Sequence, residues 1–294
     1  MQPSLALSVG LPVVLCIIML GLGLSLRLDD FTRVLSRPKP VFIGLVCQSV
    51  VLPVLCLALV YVSDLPPAIA VGMMLLAASP GGTSATLYTH LARGDVALSI
   101  TLTAVSSVFA MIGLPIMANV SLRLFYDEAE TVHLEIDQFL KIFGIAIVPA
   151  MIGMLIHNRY PATAAFLERP VKILATLFLA AVVLFALVGQ WQLVALWGPT
   201  VGAAALVFNL GSLAVGYYVP RLLDVERRQA IALAMAIGIH NAALVITMAL
   251  SEYMLNNSEM AIPAALYALI AYITGGIFVW MMNRRQLALE DGVL

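Results

Sequence analysis

Ser79-Pro80-Gly81-Gly82-Thr83, set inside the apolar stretch 68–91, decides how this chain is read. A second polar run, Gly238-Ile239-His240-Asn241, interrupts the apolar stretch 230–250. An unbroken membrane helix satisfies its own backbone. A broken one leaves N–H and C=O groups that must find protein, water or solute, at a cost of several kcal/mol each where they do not. Proline and glycine also kink packed helices without further purpose. Two matched breaks, one in each half, point instead to the binding site of a transporter.

The rest of the composition fits a membrane setting. The 294 residues are 62% hydrophobic and 11% charged, with mean hydropathy +1.04. A soluble domain carries roughly 25% charge, so that class is excluded. A net charge of −1 excludes nucleic acid as a partner and a polybasic lipid footprint. Cys16, Cys47 and Cys56 all lie in apolar runs, where thiols serve as small packing residues rather than as a disulfide or metal framework. The first apolar run lacks a basic leader and suits a spanning helix rather than a signal peptide.

About 20 apolar residues cross a bilayer. On that basis nine spans are expected, at about 5–26, 40–62, 68–91, 96–120, 139–156, 171–190, 194–219, 230–250 and 260–282. The longest connection, 121–138, is acidic, and no soluble domain fits anywhere, so 1–294 forms one membrane domain. Thirteen of the fifteen basic residues then fall on one side, leaving Arg123 and Lys141 on the other. The positive-inside rule puts the N-terminus outside and the C-terminus in the cytoplasm.

The broken spans are the third and the eighth. Five apart, they cross in opposite directions, as an inverted-topology repeat requires. Spans one to four match six to nine, the fifth lacks a partner, and the span before each broken helix carries one central amide, Gln48 or Asn209. The expected fold is therefore an all-α polytopic membrane protein with two crossed, broken helices.

Half-helices beginning near Thr83 and near Asn241 would aim free N–H groups and positive dipole ends at the midplane, which favours an anion. Unwound carbonyls favour a small cation. No Asp, Glu, Lys or Arg lies near a midplane; Lys141, Lys172 and Glu252 sit at span ends. That excludes a voltage sensor and a pump built on buried carboxylates. His240 is either a neutral, hydrogen-bonded ring or a group that couples to protons or to the substrate anion. Ser99 and Thr103 share one helix face, with Ser106 and Ser107 a turn further. These hydroxyls either bond back to the i−4 carbonyl or ligate a hard cation. Gln48 bonds either to helix backbone alone or to the unwound segment 237–240.

The run Ser79-Pro80-Gly81-Gly82-Thr83-Ser84-Ala85-Thr86, continuing through Leu91-Ala92-Arg93-Gly94-Asp95-Val96-Ala97-Leu98-Ser99, closely resembles the first crossover of the bile acid:sodium symporter family. Gly21-Leu22-Gly23-Leu24-Ser25-Leu26 with Asp29-Asp30-Phe31, Gln48 followed by Pro53, and Gly238-Ile239-His240-Asn241 also fall where that family places shared segments. The resemblance runs from Leu5 to Met282 and suits a nine-helix, bacterial-type member. It implies a panel of helices (5–26, 139–156, 171–190) moving against a core (40–62, 68–91, 96–120, 194–219, 230–250, 260–282). It also implies sodium-coupled uptake of an organic anion, bile-acid-like or a small carboxylate, by a monomer in an inner membrane. Carried over onto this sequence, the substrate contacts are Thr83, His240, Asn241 and Tyr272. The Na+ ligands are Gln48, Thr86, Ser99, Thr103, Ile237, Ile239 and His240. No cofactor is expected beyond Na+ as coupling ion.

The departures carry weight. The family's second crossover has a glutamate and a glutamine where this chain has Ala236 and His240, and its Ser-Asn pair is Ala85-Thr86 here. That glutamate is shared by the family's two sodium sites, so at most one coupling ion per monoanion is expected. The alternatives are a proton-coupled or uncoupled anion carrier and, further off, a membrane-embedded enzyme, for which no nucleophile–base or metal constellation is present.

Overall fold

A computed structural model of the chain describes residues 38–82, 84–126, 136–167, 191–251 and 254–290, with scattered positions between 13 and 34 and between 170 and 184. The first and sixth expected spans fall largely outside the described residues, as do Thr83, Glu252 and residues 127–135.

Among the described residues every named element is helical. Helix α1 (Pro38–Val46) runs through a π-helical turn (Cys47–Val51) into α2 (Leu52–Val62). Pro53 explains the widened turn: it has no N–H to return to the preceding turn, so the ladder slips by one residue just before it. After α3 (Pro67–Ala78) come α4 (Ser84–Leu91), α5 (Val96–Phe125) and α6 (Ile136–Arg159). The second half follows with α7 (Trp191–Leu222), α8 (Arg227–Gly238), α9 (Ala242–Leu250) and α10 (Ile262–Glu290), the last entered through the 3₁₀ turn Glu259–Ala261. Among the described residues, four stretches are long and apolar enough to cross a membrane: Pro38–Val62, Val96–Phe125, Ala195–Leu222 and Glu259–Arg284.

The connections are tight and alike. Asp64, Arg93, Asp224 and Asn256 adopt positive φ. Beside them Leu65 N–H returns to Val60 O, Gly94 to Thr89, Val225 to Pro220 and Asn256 to Ser251. Each bond spans six residues, and in the first three it satisfies one of the last carbonyls of the preceding helix as the chain reverses. Asp95 then caps α5 by accepting from Leu98 N at 3.1 Å.

Packing follows from small residues. A Cβ on Gly216 would lie 2.7 Å from Ala234 Cα, so α7 and α8 touch backbone to backbone. Membrane helices associate through such small-residue faces because lipid supplies no hydrophobic drive between them. Gly23 and Gly153 play the same part between the first span and α6: a Cβ on either would meet a backbone atom of the other helix. Polarity is inverted relative to a soluble protein. Phe42, Val54, Leu155 and Leu210 face outward, while Gln48, Ser99, Asn209, His240 and Thr274 are buried. An apolar surface around a mostly apolar core that also houses the polar side chains is what a bilayer as solvent selects.

The basic helix ends gather. Asp95 N–H donates to Arg228 O at 2.9 Å, Arg227 to Met282 O at 2.9 Å, and Asn283 to Leu91 O at 3.0 Å. Arg93, Arg227, Arg228 and Arg284 thereby share one end of the molecule, where Arg284 also lies over the Trp280 ring. At the other end the Tyr61 and Phe125 rings meet, 5.7 Å apart.

Candidate functional site at the helix crossing

Both expected breaks are present. The first separates α3 from α4 after Ala78, the second separates α8 from α9 after Gly238, and the two unwound segments cross. They pair as one antiparallel bridge, Gly81 opposite His240. Gly82 N–H donates to Ile239 O at 2.6 Å, and Asn241 N–H donates to Pro80 O at 2.9 Å. Each break thus satisfies part of the other, which lowers the cost of unwinding both. Because the Asn241 N–H turns to Pro80, it no longer closes the helical turn on Ile237, whose carbonyl leaves the ladder. Gly81 is required sterically: a Cβ there would stand 2.6 Å from Ala236 O and 3.1 Å from Thr103 Oγ1.

The two central amides occupy matched places. Gln48 Nε2 donates to Ser79 O at 3.0 Å, at the end of α3. Asn209 Nδ2 donates to Gly238 O at 2.8 Å, at the end of α8. Among the described residues no bond joins Gln48 to segment 237–240; its amide nitrogen holds Ser79 O of the first crossover, which also lies 3.2 Å from His240 Nδ1. Its Oε1 is buried without a partner among the described residues.

The remaining expected residues separate into groups. Asn241 caps α9, its Oδ1 accepting from Leu244 N at 3.1 Å. Thr83 lies outside the described residues. Ser99 and Thr103 are buried on one face of α5; Ser99 Oγ meets Thr89 Oγ1 at 3.2 Å, while Thr86 is half-buried on α4. Ser106 and Ser107 donate back to Thr103 O, the local alternative for such hydroxyls. Thr103 Oγ1, beside Gly81, has no partner among the described residues. Ile239 contributes its carbonyl to the bridge rather than leaving it open. Tyr272 is 49% exposed and stacked on Tyr88 at 6.3 Å, with the Tyr88 hydroxyl donating to its carbonyl, and Tyr88 in turn packs against Ile239.

Sequence reasoning missed Tyr267 and Thr274. The Tyr267 hydroxyl donates to Gly238 O at 2.7 Å and accepts from Asn209 Nδ2 at 3.0 Å; Thr274 Oγ1 donates to Asn209 Oδ1. Phe208 and Tyr267 also bracket the His240 ring, at 5.6 and 5.5 Å between centroids. The available signal was weak: a tyrosine and a threonine seven apart, two turns on one face of the last span.

The sequence model of the Sodium Bile acid symporter family matches residues 12–197. Among curated relatives, the chain is 26% identical to the probable sodium/metabolite cotransporter BASS1, chloroplastic, of Arabidopsis thaliana, over 92% of this chain and 66% of that protein. It is 24% identical to the uncharacterized sodium-dependent transporter YocS of Bacillus subtilis, over 93% of this chain and 83% of that one. It is 24% identical to the ileal sodium/bile acid cotransporter of Oryctolagus cuniculus, over 82% and 69% respectively. The chain spans just under two thirds of the Arabidopsis protein's length. With the family model covering well over half of its residues, this chain belongs to the Sodium Bile acid symporter family.

Proposed function

We propose that the protein is a secondary transporter that moves an organic anion across the membrane by alternating access, coupled to at most one sodium ion. The observation that carries this reading is the crossing itself. Two broken helices exchange Gly82 N–H to Ile239 O and Asn241 N–H to Pro80 O, so the N-terminal ends of α4 and α9 start at one point. Thr83, Asn241 and the adjacent N–H groups are the proposed anion contacts, with Tyr272 at the periphery. The relatives' names, sodium/bile acid and sodium/metabolite cotransporters, supply the substrate class and the ion.

The proposed architecture is a nine-span inverted repeat. Supporting it, α3 and α8 each have twelve residues, and α5 and α10 have 30 and 29. Asp64 and Asp224 make the same turn before each broken helix, and Gln48 and Asn209 hold matched carbonyls. The Gly23–Gly153 contact supports a panel of the first, fifth and sixth spans moving against the core. The clustered basic ends support a cytoplasmic C-terminus, and the similarity to the Bacillus protein fits a bacterial plasma membrane.

The single-ion stoichiometry follows from charge. The proposed cation ligands are neutral: Thr86, Ser99 and Thr103 on one side, Gln48 and the carbonyls of Ile237 and Ile239 on the other. Ala236 supplies no carboxylate. One cation beside one monoanion leaves a neutral pair, which a low-dielectric site favours over two bare cations. Uptake of organic anions into proteoliposomes under an imposed sodium gradient tests the reading. Uptake that ignores sodium but follows a pH gradient would favour the proton-coupled alternative, for which Ala236 and His240 speak.

A further inference from the structure

The His240 ring has a fixed tautomer with a purpose left open. Its Nδ1 lies 3.2 Å from Ser79 O and 3.4 Å from Ser79 Oγ. The Ser79 hydroxyl proton is already directed to Leu76 O at 2.7 Å, so both Ser79 oxygens face the ring as acceptors. Nδ1 must then be the donor, and in the neutral ring Nε2 presents a bare lone pair. That atom is buried and has no partner among the described residues.

The donors of Tyr267, Thr274, Asn209 and Gln48 are engaged elsewhere. The Tyr267 hydroxyl goes to Gly238 O, Thr274 to Asn209 Oδ1, Asn209 Nδ2 to Gly238 O and the Tyr267 oxygen, and Gln48 Nε2 to Ser79 O. Phe208, stacked on the imidazole within 18° of parallel, and the Tyr267 ring hold the orientation. A hard cation prefers oxygen ligands, so a nitrogen lone pair suits an O–H or N–H donor better than sodium. His240 also directly precedes Asn241, the cap of the half-helix whose N-terminal end is proposed above to meet the anion.

We infer that His240 is a specificity-determining residue whose Nε2 accepts a hydrogen bond from a hydroxyl group carried beside the carboxylate of the transported anion. The inference rests on the transport reading above and narrows it to hydroxy acids. An acceptor left empty in a buried site penalises the analogue that lacks the hydroxyl, because the ring is then desolvated without return.

The test uses the full chain labelled with ¹⁵N-histidine, with His240→Gln assigning the resonance among the four histidines. Without ligand, Nε2 should resonate as an unprotonated nitrogen. Lactate and malate should shift it, and propionate and succinate should not. In binding measured by thermal stabilisation, the hydroxy acid of each pair should be favoured at least tenfold. His240→Phe, which keeps the stack, should erase that preference, and His240→Gln, which keeps an acceptor, should retain part of it. Three results overturn the inference alone: a proton on Nε2, no shift with any of the four acids, or equal response within each pair. Absence of ion-driven uptake of any organic anion would remove the transport reading and this inference with it.

Discussion

Around the second crossover, every polar side chain from α7 and α10 has a protein partner. Asn209 uses both ends of its amide, Tyr267 donates and accepts, and Thr274 closes the set. Around the first crossover the accounts stay open. Gln48 Oε1, Thr103 Oγ1 and His240 Nε2 are buried and unpartnered among the described residues, and all three belong to side chains set against Ser79 or Gly81. Unpaired buried acceptors cost free energy unless something else completes them. The α7–α10 network behind the second crossover acts as scaffold, and the ground where the two crossovers meet is where we propose that ion and substrate complete the polar set.

The comparison is most easily broken at the glycines. Gly81→Ala would drive a Cβ to 2.6 Å from the Ala236 carbonyl, backbone that has no alternative rotamer. The expected loss of stability is about 3 kcal/mol or more, read by thermal unfolding in detergent. Gly238→Ala meets Leu213 Cδ2 at 2.4 Å, a side chain that can rotate. About 1–2 kcal/mol is expected there. The reverse order would mean that the second crossing tolerates less than the first.

The amides sharpen it next. Asn209→Ala removes the bonds to Gly238 O, Tyr267 and Thr274 together, leaving Tyr267 on Gly238 O and Thr274 on Ile270 O, and should cost about 2–3 kcal/mol. Gln48→Ala removes one bond to Ser79 O and should cost about 1 kcal/mol, yet it should weaken sodium-specific stabilisation roughly tenfold. Equal stability losses with sodium response intact in both would dissolve the distinction.

Much of this architecture was legible in the chain. The polar run Ser79–Thr83 and its partner at 238–241 locate both breaks because nothing else in a membrane helix justifies them. Gln48 and Asn209 stand out because an amide in an apolar span needs partners. What stayed hidden is pairing. Nothing in one dimension says that Gly82 N–H meets Ile239 O, or that Gln48 holds Ser79 O of the first crossover. Tyr267 and Thr274 escaped notice because single hydroxyl-bearing residues are common in membrane helices, and only Asn209 gives them meaning. Ser99 finds Thr89 rather than Thr86 because α4 begins at Ser84, which turns Thr89 inward and leaves Thr86 half-exposed.

Smaller effects discriminate further. Asn241→Ala should cost about 1 kcal/mol, the worth of a helix cap that here accepts from Leu244 N. Thr103→Val should change stability by less than about 0.5 kcal/mol, since the hydroxyl has no partner among the described residues, while reducing sodium-specific stabilisation. A clear loss of stability with unchanged sodium response would make Thr103 part of the scaffold.

The central claim, that neutral groups at the crossing hold a single coupling cation, is tested most directly by titrating the purified protein with sodium at constant ionic strength. Choline serves as the replacement, and the melting temperature is the readout. One ion binding the native state alone stabilises by RT ln(1 + c/Kd) at sodium concentration c, a gain that keeps growing with the logarithm of c. A sodium-specific rise is expected whose limiting slope, in units of RT per unit of ln c, is a coefficient no greater than one, with its onset moved to roughly tenfold higher sodium in Gln48→Ala. A coefficient clearly above one, or no difference between sodium and choline, would contradict it.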